Sequence, residues 1–422
     1  TIDLRRVMKF GGALMSDAEG IIKVGQLVKE YSSDPLVIVV SAIGKITNSL
    51  EKLHTNSGNR DKSEKLFLDI KDYHLNLLDN LFPEGNDELI RAIDVRFNSL
   101  LESTNETYEN RYEAYDSIVS IGEELSSCII YHYLLSMGIS ARLINAKSLI
   151  TTNSNYTDAD VDWNYTQKTI ETRINPMLET LDVVVTQGFI GSDISGKPTT
   201  LGREGSDFTA AIFGNILNAD EVTIWKNVPG LMNSDPARFD DSEKIENISY
   251  HEAIELAYYG ASVIHPKTIQ PLKQKNIPLL VRPYYDSSLK PTIINNNTSN
   301  DSNTASIIVK DDQVLMSIGT QNLSFIAEDN LKQIFSAFSR NRIHINMMQN
   351  SAVSFSVSFN KDNDKLKALI DDLSMFNLKY NTGLQLLTIR HYTDELINKY
   401  VTNKKVYLLQ KSRVTVQILL SK

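Results

Sequence analysis

The chain has 422 residues, 41% hydrophobic and 23% charged, with 43 Lys and Arg against 52 Asp and Glu for a formal net charge of −9. That length calls for two or three domains, and the acidic balance argues against a nucleic-acid binder, which would present a basic surface. Cys128, the single cysteine, cannot close an internal disulfide. No uninterrupted apolar run reaches a membrane span, and TIDLRRVMKFGG holds no signal-peptide core, so a cytoplasmic protein with no membrane partner is expected.

In chain order, LRRVMKFGG reads as a short strand running into glycines, DAEGIIKVGQLVKEY as a helix, and PLVIVVSAIGK as a strand ending in a glycine-containing turn. VIVV is continuously apolar and β-branched, the pattern of a strand covered on both faces. Residues 50–115 are polar and helix-forming, with apolar positions at helical spacing, and SIGEELSSCIIYHYLLSMGI reads as an amphipathic helix. ARLINA, DVVVTQGFIG, EVTIWKN and IPLLVRP follow as strands, alternating with helical DFTAAIFGNIL and SYHEAIELAYYGA. This alternation predicts an α/β domain around a mostly parallel sheet. IINNNTSNDSNTAS, residues 293–306, has no apolar period and reads as a linker. The boundary is placed near residue 300, giving domains 1–300 and 301–422. In the second, VLMSIGTQNL through LQLLTIRH read β-α-β-β-α-β and KKVYLLQKSRVTVQILL adds two strands, an α+β pattern.

Four segments have the make-up of a ligand site. KFGG (residues 9–12) ends a strand with a lysine, a point charge suited to phosphate, beside two glycines that admit an anion to backbone N–H groups. Alone it reads more readily as a surface lysine at a turn. In GREGSD (residues 202–207), Arg203 offers a fork for a carboxylate or phosphate, and Ser206 or Asp207 is a natural N-cap for the helix that follows. A cap by itself explains neither the arginine nor the glycines. Glu123 follows Gly122 near the start of a long helix, where alone it is a first-turn glutamate favoured by the helix dipole. Ser41, Ala42, Thr47 and Asn48 lie in the turn after LVIVV, where hydroxyls orient a small ligand or simply make the turn. GxxxxGK[ST], GxGxxG, HRD and DFG sets and HExxH-like histidine spacing are all missing, so no metal ligands are assigned. His265 in VIHPKT reads as a structural turn.

Taken in order, KFGG, VVSAIGKITNSL, SIGEELSS, VTQGFIGSDISGKPTTLGREGSDFTAAI, IWKNVPGLMNSDPARF and SYHEAIELAYYGASVIHPKTIQP resemble the aspartate kinases of the amino-acid kinase family over nearly all of residues 5–285. The tail, ending VYLLQKSRVTVQILL, is similar to the paired ACT modules of such kinases. The resemblance implies a three-layer amino-acid kinase fold followed by α+β ACT-like regulatory domains. It implies phosphorylation of the L-aspartate side chain by ATP with Mg²⁺, at the entry to lysine, threonine and methionine synthesis. On matched positions it implies that Lys9, helped by Gly11 and Gly12, neutralises the transferring phosphoryl group. Arg203 would grip the substrate α-carboxylate and Glu123 its α-amino group. Ser41, Thr47, Phe189 and Ser206 would line the aspartate pocket, and Asp207 would organise the lysine, or the metal and phosphates. The ACT-like tail implies a homodimer or higher oligomer. It also implies an amino-acid effector, lysine or threonine, at SIGTQNLSF (317–325) and HINMMQNSAVSF (344–355). With the sequence ending just past this region, no fused homoserine dehydrogenase domain is expected.

Several positions depart from the family pattern. Ala13 and Leu14 stand where Thr-Ser usually follows KFGG, and Glu204 replaces a glycine. On the nucleotide side, Lys226 and Asn227 replace a threonine and an aspartate, and Ser262 stands where a phosphate-binding lysine is usual. Lys226 is placed to supply the charge missing at 262. Asn346 replaces an aspartate common in lysine-inhibited members, and an asparagine forms no salt bridge with an effector ammonium. Two alternatives accompany the kinase reading: a non-catalytic amino-acid-binding regulatory homologue, and a kinase with another acceptor such as glutamate.

Overall fold

The computed structural model describes residues 4–180, 182–261 and 264–422. The chain divides into two compact units. One comprises Thr1–Leu231, Lys244–Ala253 and Ile264–Thr298; the other comprises Met232–Glu243, Ile254–Val263 and Ser299–Lys422.

The first unit carries strands β1 (Arg6–Phe10), β2 (Leu36–Val40), β3 (Ala141–Leu143), β4 (Thr151–Thr152), β5 (Val183–Gln187), β6 (Ile190–Asp193), β7 (Pro198–Thr200), β8 (Glu221–Lys226), β9 (Asn247–Ser249), β10 (Leu279–Pro283) and β11 (Thr292–Asn295). Eight of them form one sheet in the order β3-β5-β2-β1-β8-β10-β11-β9. Every pairing in it is parallel except β10 with β11. β2 and β5 are buried at every residue, which is why LVIVV and VVVTQ lack polar alternation. β4, β6 and β7 make a small second sheet. Phe10 and Trp225 stack across β1 and β8, with ring centroids 6.1 Å apart.

Three sequence expectations change here. DVVVTQGFIG is two strands, split at Gly188–Phe189, where Phe189 takes a left-handed φ of 74°. The helix Ile121–Ser136 is not amphipathic: residues 121–130 are all buried, because it packs against the helix Asp87–Asn105 as well as β3 and β5. The Asn-rich stretch is strand at its start. β11 pairs with β9 and β10, and Asn247 Nδ2 donates to Ile293 O and Asn295 Oδ1 at 3.1 Å each.

The second unit carries β12 (Ser306–Thr320), β13 (Ile345–Asn350), β14 (Ser354–Asn360), β15 (Phe376–Arg390), β16 (Val406–Lys411) and β17 (Thr415–Ser421) in one antiparallel sheet, ordered β13-β14-β12-β15-β17-β16. β12 and β15 are each 15 residues long and serve two cores in turn. Val314, Met316, Phe338 and Phe359 pack under the helices Glu328–Arg340 and Asn363–Asp372. Ile389, Ile397 and Ile418 pack with the helix Asp394–Val401, an element absent from the sequence reading. Irregular register between Lys310 and Leu315 marks the passage from one core to the other.

Candidate active site

The site is built where the C-terminal ends of β1, β2, β5 and β8 lie side by side, the usual crevice of a parallel sheet. Lys9 pairs in register with Val39 of β2 and Ile224 of β8. Its Nζ lies 2.8 Å from Asp207 Oδ1, and the two side chains are 14% and 6% exposed. The contact is a largely buried ion pair. A Cβ on Gly11 would sit 3.4 Å from the Lys9 Nζ, and one on Gly12 would sit 2.3 Å from Ala42 O. Gly12 is therefore required for the loops after β1 and β2 to meet. The Gly12 carbonyl accepts from Gly44 N at 2.8 Å and seals them together.

Ala42 links this loop to Glu123, whose Oε1 accepts from Ala42 N at 3.3 Å. Glu123 is 2% exposed and its Oε2 is buried with no hydrogen-bond partner. Burial pushes its carboxyl up to about 8, against the pull of the Ala42 N–H. Such a group ionises readily only when a cation arrives. Ser126 Oγ donates to Ser41 O at 2.6 Å and fixes the same turn from the helix. Thr47 lies in the helix Ile46–Thr55, not in a turn, and is half-buried.

The helix Gly205–Ile216 carries the other wall. Its N-cap is Glu204, at a left-handed φ of 53° and without a side-chain cap bond, rather than Ser206 or Asp207. The reason is tertiary: Asp207 is drawn to Lys9. Glycines again allow the close fit. A Cβ on Gly188 would lie 2.6 Å from Ser206 Cβ, and one on Gly205 would lie 2.7 Å from Phe189 Cδ2. Phe189 N donates to Thr209 Oγ1 at 3.0 Å, which in turn donates to Gly205 O at 2.9 Å. Arg203 is exposed and, among the described residues, pairs with no acid.

Lys226 ends β8 and is half-buried. Burial lowers its pKa, the Asp207 carboxylate opposes that, Lys9 adds to it and Glu204 opposes it. Lys226 thus shares the field of the Lys9–Asp207 pair. Asn227 is exposed in the bend that follows, and Ser262 lies outside the described residues. No group of three or more His, Cys, Asp or Glu able to hold a metal occurs among the described residues.

The amino acid kinase family profile matches residues 5–283. The chain belongs to the amino acid kinase family. This amino acid kinase is 28% identical over 418 residues to a bifunctional aspartokinase/homoserine dehydrogenase of Buchnera aphidicola, covering 96% of its own length but 49% of that protein. It therefore spans about half the length of that relative. It is 28% identical over 361 residues to lysine-sensitive aspartokinase 3 of Escherichia coli, covering 83% of this chain and 77% of that one. The crystal structure of E. coli aspartokinase III in complex with lysine and aspartate matches with a TM-score of 0.80 at 25% identity, over 98% of this chain and 95% of that chain.

In this amino acid kinase, contacts join most of the sequence-selected residues. Glu123 reaches Ala42, Ser126 on the same helix reaches Ser41, Ala42 meets Gly12, Lys9 meets Asp207, and Ser206 meets Gly188 beside Phe189. Lys226 joins through its field. Sequence reasoning missed Gly188 as an obligatory close approach, although the Gln-Gly-Phe break in an apolar strand was its trace. It also gave no signal for Asp116, a buried carboxyl in the helix Arg111–Val119 that accepts from Thr157 N and Thr200 N at 2.9 Å each.

Proposed function

We propose that this amino acid kinase transfers the γ-phosphoryl group of ATP to the side-chain carboxylate of L-aspartate, giving 4-phospho-L-aspartate at the entry to lysine, threonine and methionine synthesis. The observation that carries the reading is the buried, unpartnered Oε2 of Glu123, joined through Ala42 and Gly12 to the loop beside the Lys9–Asp207 pair. A buried carboxyl that ionises when a cation arrives suits an α-ammonium, and a lysine at a glycine loop suits a phosphoryl group. The aspartokinase names of the relatives agree with it.

The acceptor carboxylate, with an ordinary pKa near 4, is ionised at pH 7 and needs no general base. The obstacle is bringing one anion against another, so positioning and charge neutralisation carry the catalysis. Lys9 turns from Asp207 to the transferring phosphoryl group, and the Gly11 and Gly12 backbone borders the same charge. Arg203, free of any acid partner among the described residues, grips the α-carboxylate. Ser41, Thr47, Phe189 and Ser206 line the acceptor pocket. Lys226 meets the nucleotide phosphates in place of a lysine at 262, with Asn227 beside it. Asp207 Oδ1, paired with Lys9 Nζ, and the buried Glu204 Oε2, which has no hydrogen-bond partner, are hard oxygen donors of the kind Mg²⁺ takes. Asp207 would hold a Mg²⁺ arriving on the nucleotide, and the ion would supply neutralisation of phosphate charge.

Catalysis is assigned to residues 1–300 and regulation to an ACT-like region at 301–422, through which the chain would form a homodimer or larger assembly and respond to lysine or threonine. Asn346 already accepts from Lys310 Nζ at 3.0 Å and donates to Gln313 and Asn360. That engagement favours weak inhibition by lysine. A coupled ADP-release assay with aspartate, glutamate and no acceptor tests the proposal. Turnover with aspartate alone is expected. Aspartate binding without turnover would replace the reading with a regulatory homologue, and preference for glutamate would replace the acceptor.

A further inference from the structure

We propose that Asp116 is a positioning residue for the acceptor site: a buried carboxylate that fixes the loop carrying Arg203 and thereby sets the affinity for the substrate's α-carboxylate. The proposal rests on the reading of Arg203 given above.

Asp116 lies in the helix Arg111–Val119 and is 0% exposed. Its Oδ2 accepts from Thr157 N and Thr200 N, each at 2.9 Å, and its Oδ1 accepts from Thr200 Oγ1 at 2.7 Å. Among the described residues no cation pairs with it. Burial pushes its carboxyl up to about 6, against those three donors. A hydrophobic side chain would avoid that desolvation, so the carboxylate's return is the three directed bonds it makes to two distant loops.

Both loops converge on Arg203. Thr200 ends β7, and its carbonyl accepts from Ala159 N at 3.0 Å. Leu201 N donates to Phe189 O at 2.9 Å, and Leu201 O accepts from Lys267 Nζ at 2.9 Å. Gly202, at a φ of +78°, comes next, then Arg203 and the left-handed Glu204. On the facing loop Thr157 has a φ of 71°, and a Cβ on Gly202 would lie 2.5 Å from Asp158 Oδ1. Two non-glycine residues therefore sit in a conformation their Cβ atoms disfavour, on either side of Gly202. Such strain persists where surrounding bonds over-determine it. Asp116 ties Thr157 to Thr200 through one carboxylate, and so closes the frame from which Arg203 projects.

The test compares wild type with Asp116→Val, Asp116→Asn, Thr200→Val and Arg203→Ala. The readouts are kcat, the KM for aspartate and for ATP, and amide hydrogen exchange over residues 200–205. Asp116→Val should raise the aspartate KM about tenfold, leave the ATP KM within about twofold and speed exchange across the loop. Asp116→Asn keeps an acceptor for the two N–H donors and should stay within about threefold of wild type; since Val and Asn both fill the site, the gap between them is what a mere filler role would not give. Thr200→Val, which removes one bond, should raise the aspartate KM about threefold and keeps the question open to measurement if Asp116→Val does not fold. Combining Asp116→Val with Arg203→Ala should add little to Arg203→Ala alone. An unchanged aspartate KM in a folded Asp116→Val or Thr200→Val protein, or equal rises in both KM values, overturns the proposal. Wild type that turns over no aspartate instead overturns the reading of function. In that event the exchange comparison decides for Asp116: unchanged exchange over 200–205 rejects it, and faster exchange upholds the loop-fixing role.

Discussion

On the proposed function, the acceptor side and the nucleotide side of the site rest on different physical terms. On the acceptor side, backbone meets a neighbouring side chain closely enough that a single added carbon is excluded, at Gly188 and Gly205. The buried Glu123 and Asp116 carboxyls add directed bonds that they accept from backbone N–H groups. On the nucleotide side, Lys226 acts through a shared field with Lys9, Asp207 and Glu204, and Asn227 stands exposed beyond it. Shape recognition of a small amino acid tolerates little displacement, whereas attraction between a cation and a polyphosphate survives a change in which residue supplies the charge. On the proposed reading, the family-like residues fall on the side that needs shape and the departures at 226, 227 and 262 on the side that needs only charge.

Three substitutions would break or sharpen that contrast. Lys9→Ala removes the cation common to both sides and should lower kcat by about 10²–10³-fold, the usual effect of losing one transition-state donor. A loss of less than tenfold would move the chemistry away from β1. Arg203→Ala should raise the aspartate KM by roughly 30-fold, as expected for about 2 kcal/mol in charge-assisted bonds, and leave the ATP KM unchanged. Equal effects on both substrates would show that the two sides are not separable. Lys226→Ala should raise the ATP KM about tenfold with the aspartate KM constant. An unaltered ATP KM would end the idea that Lys226 replaces a lysine at 262.

Much of the contrast was legible in the sequence because close approaches leave glycines and buried strands leave uniform apolar runs. LVIVV and the glycine-bearing loops KFGG and GREGSD needed no tertiary information. The failures have tertiary causes. Asp207 is a good N-cap by composition, but its pairing with Lys9 leaves the cap to Glu204 in a left-handed conformation. Ile121–Ser136 carries enough polar residues to read as amphipathic, yet Ser126, Ser127 and Glu124 all face protein. Asp394–Val401 is too short, at eight residues, to fill the roughly 11-residue window over which helical periodicity is read. Asp116 binds partners 41 and 84 residues away, so nothing near it in the chain announces its role.

The smallest expected effect is also the most diagnostic of the acceptor side. Burial raises the Glu123 carboxyl from its ordinary 4.5 to about 8. Because the folded value is the higher one, ionisation works against the fold. The stability associated with Glu123 is fully present below about pH 4.5 and is lost as pH climbs towards 8. In the absence of substrate, Glu123→Gln should therefore gain thermal stability relative to wild type over that interval. Aspartate reverses the sign, because its ammonium favours the ionised carboxylate. Binding at pH 7 should then release a proton, and the aspartate KM should fall about fivefold from pH 7 to 8 as the free carboxyl ionises. Glu123→Gln should abolish both effects while leaving the ATP KM in place. Buffer-dependent calorimetric heats showing no proton release in wild type would mean that Glu123 meets something other than the substrate ammonium, and the acceptor side would then have to be reassigned around Arg203 alone.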